Sequence, residues 1–176
     1  RDRGFSVSSE TEKVRGTLTV PELRRILETS NPMYRALFLC MFQGGMGSGE
    51  ALYWSREGQD AARKGLRSAE PVLQVNLPGR KIARNKRPYT TLIGADGMNA
   101  LEAWLKVRPD LKEEGHIFIT GTGTPVNYEA MRAYWMRRLR KLGLVVPERK
   151  KSARYGKNIH EMRDLFRSRW EKSPAK

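Results

Sequence analysis

The chain has 176 residues and carries 34 Lys+Arg against 19 Asp+Glu, a formal net charge of +15 with a pI near 10.4. The length fits one domain, and so large a positive excess points to a polyanionic partner, because each phosphate contact releases condensed counterions. No apolar run reaches the roughly 18–20 residues of a membrane span. Cys40 as the single cysteine excludes an internal disulfide framework, and one cysteine with two histidines offers no metal-ligand spacing.

In chain order, residues 1–16 are polar and charged and read as a linker or entry segment, leaving 17–176 as one domain. The series Thr19-Val20-Pro21-Glu22 is a capping box with proline early in the first turn, and predicts a helix running to about Glu28. Asn31-Pro32 starts a second helix, whose apolar run Ala36–Phe42 suits burial on most sides; Gly44-Gly45 breaks it. A short helix follows from about Ser48 to Trp54, and the polar stretch Gly58–Ser68 reads as a loop. Val72, Leu73, Val75 and Leu77 predict a strand, and Tyr89 to Ile93 its antiparallel partner, with a basic hairpin tip between them. Met98, Leu101, Trp104 and Leu105 mark another helix that Pro109 closes. Ile117-Phe118-Ile119 reads as a short buried strand. Asn127 caps a long helix through about Leu142. A last helix, from about Asn158 to Lys172, is expected to bury Ile159, Met162, Phe166 and Trp170. The fold class is therefore α+β: mostly helical, with a small antiparallel sheet.

Three groups of cations stand out. Arg80, Lys81, Arg84, Lys86 and Arg87 crowd the hairpin tip with no acid among them, a self-repelling arrangement without a counterion. From Arg132 to Lys157 there are ten cations against the single acid Glu148, among them Arg137, Arg138, Lys141, Lys150, Lys151 and Arg154, as expected of a surface that tracks a nucleic-acid backbone. His160 and Arg163 lie three apart and so share a helix face, with Arg167 a further turn along.

Three segments in this order resemble the catalytic domain of the tyrosine recombinases, or phage integrases. Leu18-Thr19-Val20-Pro21-Glu22-Leu23, a buried helix, a glycine break and Gly49-Glu50-Ala51-Leu52 are similar to the family's opening segment. The basic hairpin stands where the family carries a catalytic lysine, and His160-Glu161-Met162-Arg163 is similar to its H-x-x-R box. The resemblance covers about Leu18 to Lys172. It implies double-stranded DNA as partner, no metal or other cofactor, and possible homo-oligomers on DNA in the full-length protein. In the implied chemistry a tyrosine attacks a DNA phosphodiester to form a 3′-phosphotyrosyl bond. Arginine forks then bind the phosphate oxygens, lysine donates a proton to the leaving 5′-oxygen, and histidine serves as acid or base. By this resemblance the catalytic residues are Lys81, with Lys86 as the alternative, together with His160 and Arg163. The setting is intracellular: cytoplasmic, of prokaryotic or viral type.

The chain departs from the family pattern twice. Gly47 stands where the first active-site arginine is expected, and no tyrosine occurs after Tyr155, so neither the downstream GH box nor the nucleophile is present. With Arg1 in place of an initiating Met, the chain reads as a fragment of a recombinase, expected to be inactive by itself. The alternatives are a non-catalytic integrase-like DNA-binding protein that has lost its chemistry at Gly47, and a basic RNA-binding protein.

Overall fold

The entry to the first helix shows how local chemistry starts the fold. The Thr19 hydroxyl accepts the Glu22 N–H at 3.4 Å, while Glu22 Oε2 accepts the Thr19 N–H at 2.9 Å. This reciprocal cap begins α1 (Val20–Glu28), which turns Leu23 and Ile26 inward. The computed structural model describes residues 18–79, 87–109, 115–145 and 157–172; the expected linker 1–16 lies outside them. Next come α2 (Pro32–Gln43), capped by Asn31, and α3 (Ser48–Glu57). In α2 Met33, Tyr34, Ala36, Leu37, Phe38, Cys40 and Met41 are all buried, and the helix packs against α1, α3, α5 (Ala95–Val107) and α7 (Glu161–Glu171).

Gly58–Ser68, expected as a loop, instead forms the helix α4 (Gln59–Leu66). Its residues include good helix formers, but its apolar side is narrow, with Ala62 fully buried and Leu66 partly buried against the core. β1 (Leu73–Leu77) and β2 (Tyr89–Ile93) pair antiparallel, Leu73 opposite Ile93 and Leu77 opposite Tyr89, and form the two-stranded sheet. Leu73, Val75 and Leu77 point inward, while Gln74 and Asn76 face out.

Trp104 of α5 donates its indole N–H to the Ile117 carbonyl at 2.8 Å. Ile117, Phe118 and Ile119 are buried as expected but add no strand to the sheet, making only an isolated bridge between Ile119 and Pro125. Ser55 takes up their amides instead: its carbonyl accepts the Ile117 N–H at 2.7 Å and its hydroxyl the Phe118 N–H at 3.0 Å. α6 (Tyr128–Lys141), capped by Asn127, closes the core with aromatic contacts. Tyr134 stacks on Tyr34 at 3.7 Å, and Trp135 meets Phe38 edge-on at 5.2 Å.

The last helix differs from expectation at its far end. Ile159 and Met162 are buried and Phe166 is half-buried, but Trp170 is 60% exposed. Its ring stacks on Phe166 at 6.3 Å. Among the described residues no helix is long and apolar enough to cross a membrane.

Candidate nucleic-acid interface

The turn between α2 and α3 lies against α7. Gly45 adopts φ +56°, open chiefly to glycine, and a Cβ there would stand 2.6 Å from the Phe166 ring. Gly47 is different. Its backbone is extended (φ −77°, ψ 166°), a conformation any residue can take, so nothing conformational demands glycine. A Cβ on Gly47 would lie 3.1 Å from Arg163 Nη1 and 3.4 Å from Glu50 Oε2. The position expected to carry the first arginine and the arginine of the H-x-x-R box are therefore neighbours in space.

Glu50 binds this cluster together. Its Oε2 accepts the Gly47 N–H at 2.7 Å and Arg163 Nη2 at 2.9 Å, and its Oε1 accepts the Tyr89 hydroxyl at 2.6 Å. The ion pair is largely enclosed, with the two side chains 21% and 13% exposed. Burial pushes the Glu50 carboxyl up, but the Tyr89 hydroxyl, the Gly47 N–H and the Arg163 guanidinium together hold it below its ordinary value.

His160 is the N-cap residue of α7 and is exposed. Asn158 Oδ1 accepts its backbone N–H at 2.9 Å, and the His160 carbonyl accepts the Arg163 N–H at 3.0 Å. The start of this helix is tied to distant elements. Glu161 accepts the Leu18 N–H at 2.8 Å, and the Lys157 carbonyl accepts the Trp135 indole N–H at 2.7 Å. Lys157 Nζ sits 2.5 Å from Glu22 Oε1, which draws this member of the second basic region into an ion pair within the fold.

The other cations divide. Arg87, Arg137 and Lys141 are exposed. Arg138 is engaged by the fold: it donates to the Thr29 carbonyl at 2.7 Å and lies 4.8 Å over the Tyr134 ring. Arg80, Lys81, Arg84, Lys86, Lys150, Lys151 and Arg154 lie outside the described residues. The base of the hairpin is described, and there the Gly79 and Arg87 backbones lie in close approach. Among the described residues no group of His, Cys, Asp and Glu could hold a metal ion. The buried Cys40 thiol is pushed up by burial, and so is inert.

Sequence reasoning singled out Arg163 and His160 but not Tyr89, nor Glu50 as a site residue. Their only signal was Glu50 in the segment resembling the family's opening; a tyrosine at the start of a strand carries none.

No family model and no curated protein sequence matches the chain. Solved structures do. The XerA recombinase superposes over 91% of this chain with a TM-score of 0.65 at 14% identity, and the chain covers 51% of it. The Tn1549 transposon integrase, in complex with a circular intermediate DNA, gives 0.64 over 96% of this chain and 57% of its own at 12% identity. A lambda integrase dimer bound to a COC′ core site gives 0.61 over 90% and 41% at 18% identity. The chain thus spans about half the length of the recombinases it matches. With seven helices and an antiparallel strand pair among the described residues, this chain has the α+β fold shared by these recombinases and integrases.

Proposed function

We propose that the chain is a catalytic-domain fragment of a site-specific tyrosine recombinase that binds double-stranded DNA. The observation that carries this reading is the meeting of Arg163 with the α2–α3 turn, through an ion pair to Glu50 spanning 113 positions of sequence. In this reading the H-x-x-R arginine stands beside Gly47, the position where the family's opening segment would carry its own arginine. Arg163 would bind non-bridging phosphate oxygens, His160 would act as acid or base beside it, and Lys81 on the hairpin would protonate the leaving 5′-oxygen. Arg80, Arg84, Lys86, Arg87, Arg137, Lys141, Lys150, Lys151 and Arg154 would track the backbone, while Arg138 is held chiefly by the Thr29 carbonyl and the Tyr134 ring. The chemistry calls for no metal or other cofactor. In the full-length protein, homo-oligomers on DNA and a cytoplasmic setting go with this function.

A titration of duplex affinity against salt tests the partner. Affinity should fall steeply, with a log–log slope of about −0.9 per phosphate contact. Flat affinity, or preference for structured RNA, would contradict the assignment. A suicide duplex that traps covalent intermediates tests the chemistry: the chain alone should form no DNA-linked species, because no tyrosine follows His160. A covalent adduct mapped to Tyr155 would reverse the order of motifs assumed here.

Gly47 favours a second reading, an integrase-like protein that binds DNA without cutting it. A missing donor in an electrostatic site costs about 100- to 1000-fold in rate. Under the first reading the downstream segment restores weak cleavage, which Gly47→Arg then raises; under the second neither change yields any.

A further inference from the structure

The hairpin strand and the H-x-x-R helix share one carboxylate. Tyr89 opens β2, and Thr91, two residues on and so on the same side of the strand, donates its hydroxyl to the Gly44 carbonyl at 2.7 Å. β2 is thereby fastened to the site at two points, the glycine turn through Thr91 and Glu50 through Tyr89.

The way Glu50 takes Arg163 is unusual. A carboxylate commonly meets guanidinium as a fork, with two parallel N–H···O bonds from two nitrogens. Here a single nitrogen, Nη2, faces both oxygens, at 2.9 Å from Oε2 and 3.3 Å from Oε1. Among the described residues Nη1 and Nε have no hydrogen-bond partner. Nη1 is also the atom that stands closest to the missing Gly47 side chain.

The geometry points to Tyr89 as a positioning residue: its hydroxyl keeps Glu50 from closing a fork on Arg163, so that the Nη1–Nε edge stays presented to a phosphate of bound duplex. The inference rests on the DNA-binding function proposed above. Tyr89 touches no DNA in this role; it acts through Glu50. The Gly47 N–H holds the other oxygen, so each carboxylate oxygen carries a donor besides the guanidinium.

Tyr89→Phe keeps the ring and removes one hydroxyl. Oε1 then loses its 2.6 Å donor and turns toward the guanidinium already beside it, closing the fork. Duplex affinity should fall about tenfold at low salt, and the salt slope should shrink by about 0.9, the signature of one withdrawn phosphate contact. Arg163→Ala should give the same loss, and Tyr89→Phe should add nothing in that background. Glu50→Gln, which cannot form the charged fork, should likewise abolish the effect of Tyr89→Phe. Equal losses from Tyr89→Phe in all three backgrounds would mean a structural role only and would overturn the proposal. A DNA-free arm separates this outcome from a failure of the functional reading. In the nitrogen NMR spectrum of Arg163, Tyr89→Phe should slow guanidinium rotation as a second N–H is captured. Should the wild-type chain bind no duplex at any salt, the DNA reading falls, and unchanged rotation in Tyr89→Phe then sinks the positioning role too.

Discussion

Glu50 and Glu22 are acids that the fold holds ionised. For Glu22, burial pushes the carboxyl up, but hydrogen bonds from Lys157 and Thr19 outweigh it and lower it overall. A carboxyl lowered in the folded state adds stability that is present above its unfolded value, here near 4.5, and is lost as pH falls through the folded value. Glu161, raised by burial, acts oppositely: its contribution is present in acid and is lost as pH rises through the folded value. Urea midpoints followed downward from pH 6 should therefore drop below about pH 4.5. Glu50→Gln should remove part of that drop while leaving the share due to Glu22. An unchanged acid limb in Glu50→Gln would show that the carboxylate is not held as the contacts imply. The pairing itself was hidden in the sequence, because Tyr89 lies 39 positions from Glu50 and Arg163 lies 113. The three-residue spacing of His160 and Arg163, by contrast, is local and could be read directly.

At the scale of elements, α6 carries one arginine tied into the fold beside exposed cations that can meet a partner. Arg138 holds the Thr29 carbonyl and lies 4.8 Å over the Tyr134 ring, whereas Arg137, 5.7 Å over the same ring, and Lys141 are exposed. Arg138→Ala should therefore cost about 1 kcal/mol or somewhat more in stability, with a smaller effect on the DNA salt slope. Arg137→Glu with Lys141→Glu should flatten that slope with little change in stability. Chemical denaturation and anisotropy titrations on the same preparations check both expectations, and the reverse pattern would place Arg138 at the DNA instead. Legibility followed the same division. Helices announced by caps and apolar stripes, such as α1, α2 and α6, were readable because caps and stripes are local. α4 was not: it packs only Ala62 and Leu66 against the core, and its place is set by neighbours such as Leu73, whose side chain crowds Gly65. The end of α7 misled for the opposite reason. An apolar stripe says which side of a helix prefers burial, but not whether another element is there to cover it.

For the whole molecule, one feature of α7 has an optical consequence. Of the four tryptophans, Trp54, Trp104 and Trp135 are 4%, 6% and 1% exposed, while Trp170 is 60% exposed. Intrinsic emission is thus the sum of three shielded indoles and one in contact with solvent. A neutral collisional quencher such as acrylamide should reach Trp170 far more readily, giving a downward-curving quenching plot that becomes uniformly shallow in Trp170→Phe. Trp170 shares its helix with Arg163, about two turns further along. If duplex settles over that helix, the accessible fraction should shrink as DNA is added and recover as salt releases it. The chain thus carries its own fluorescent reporter for occupation of the proposed site, with no dye attached.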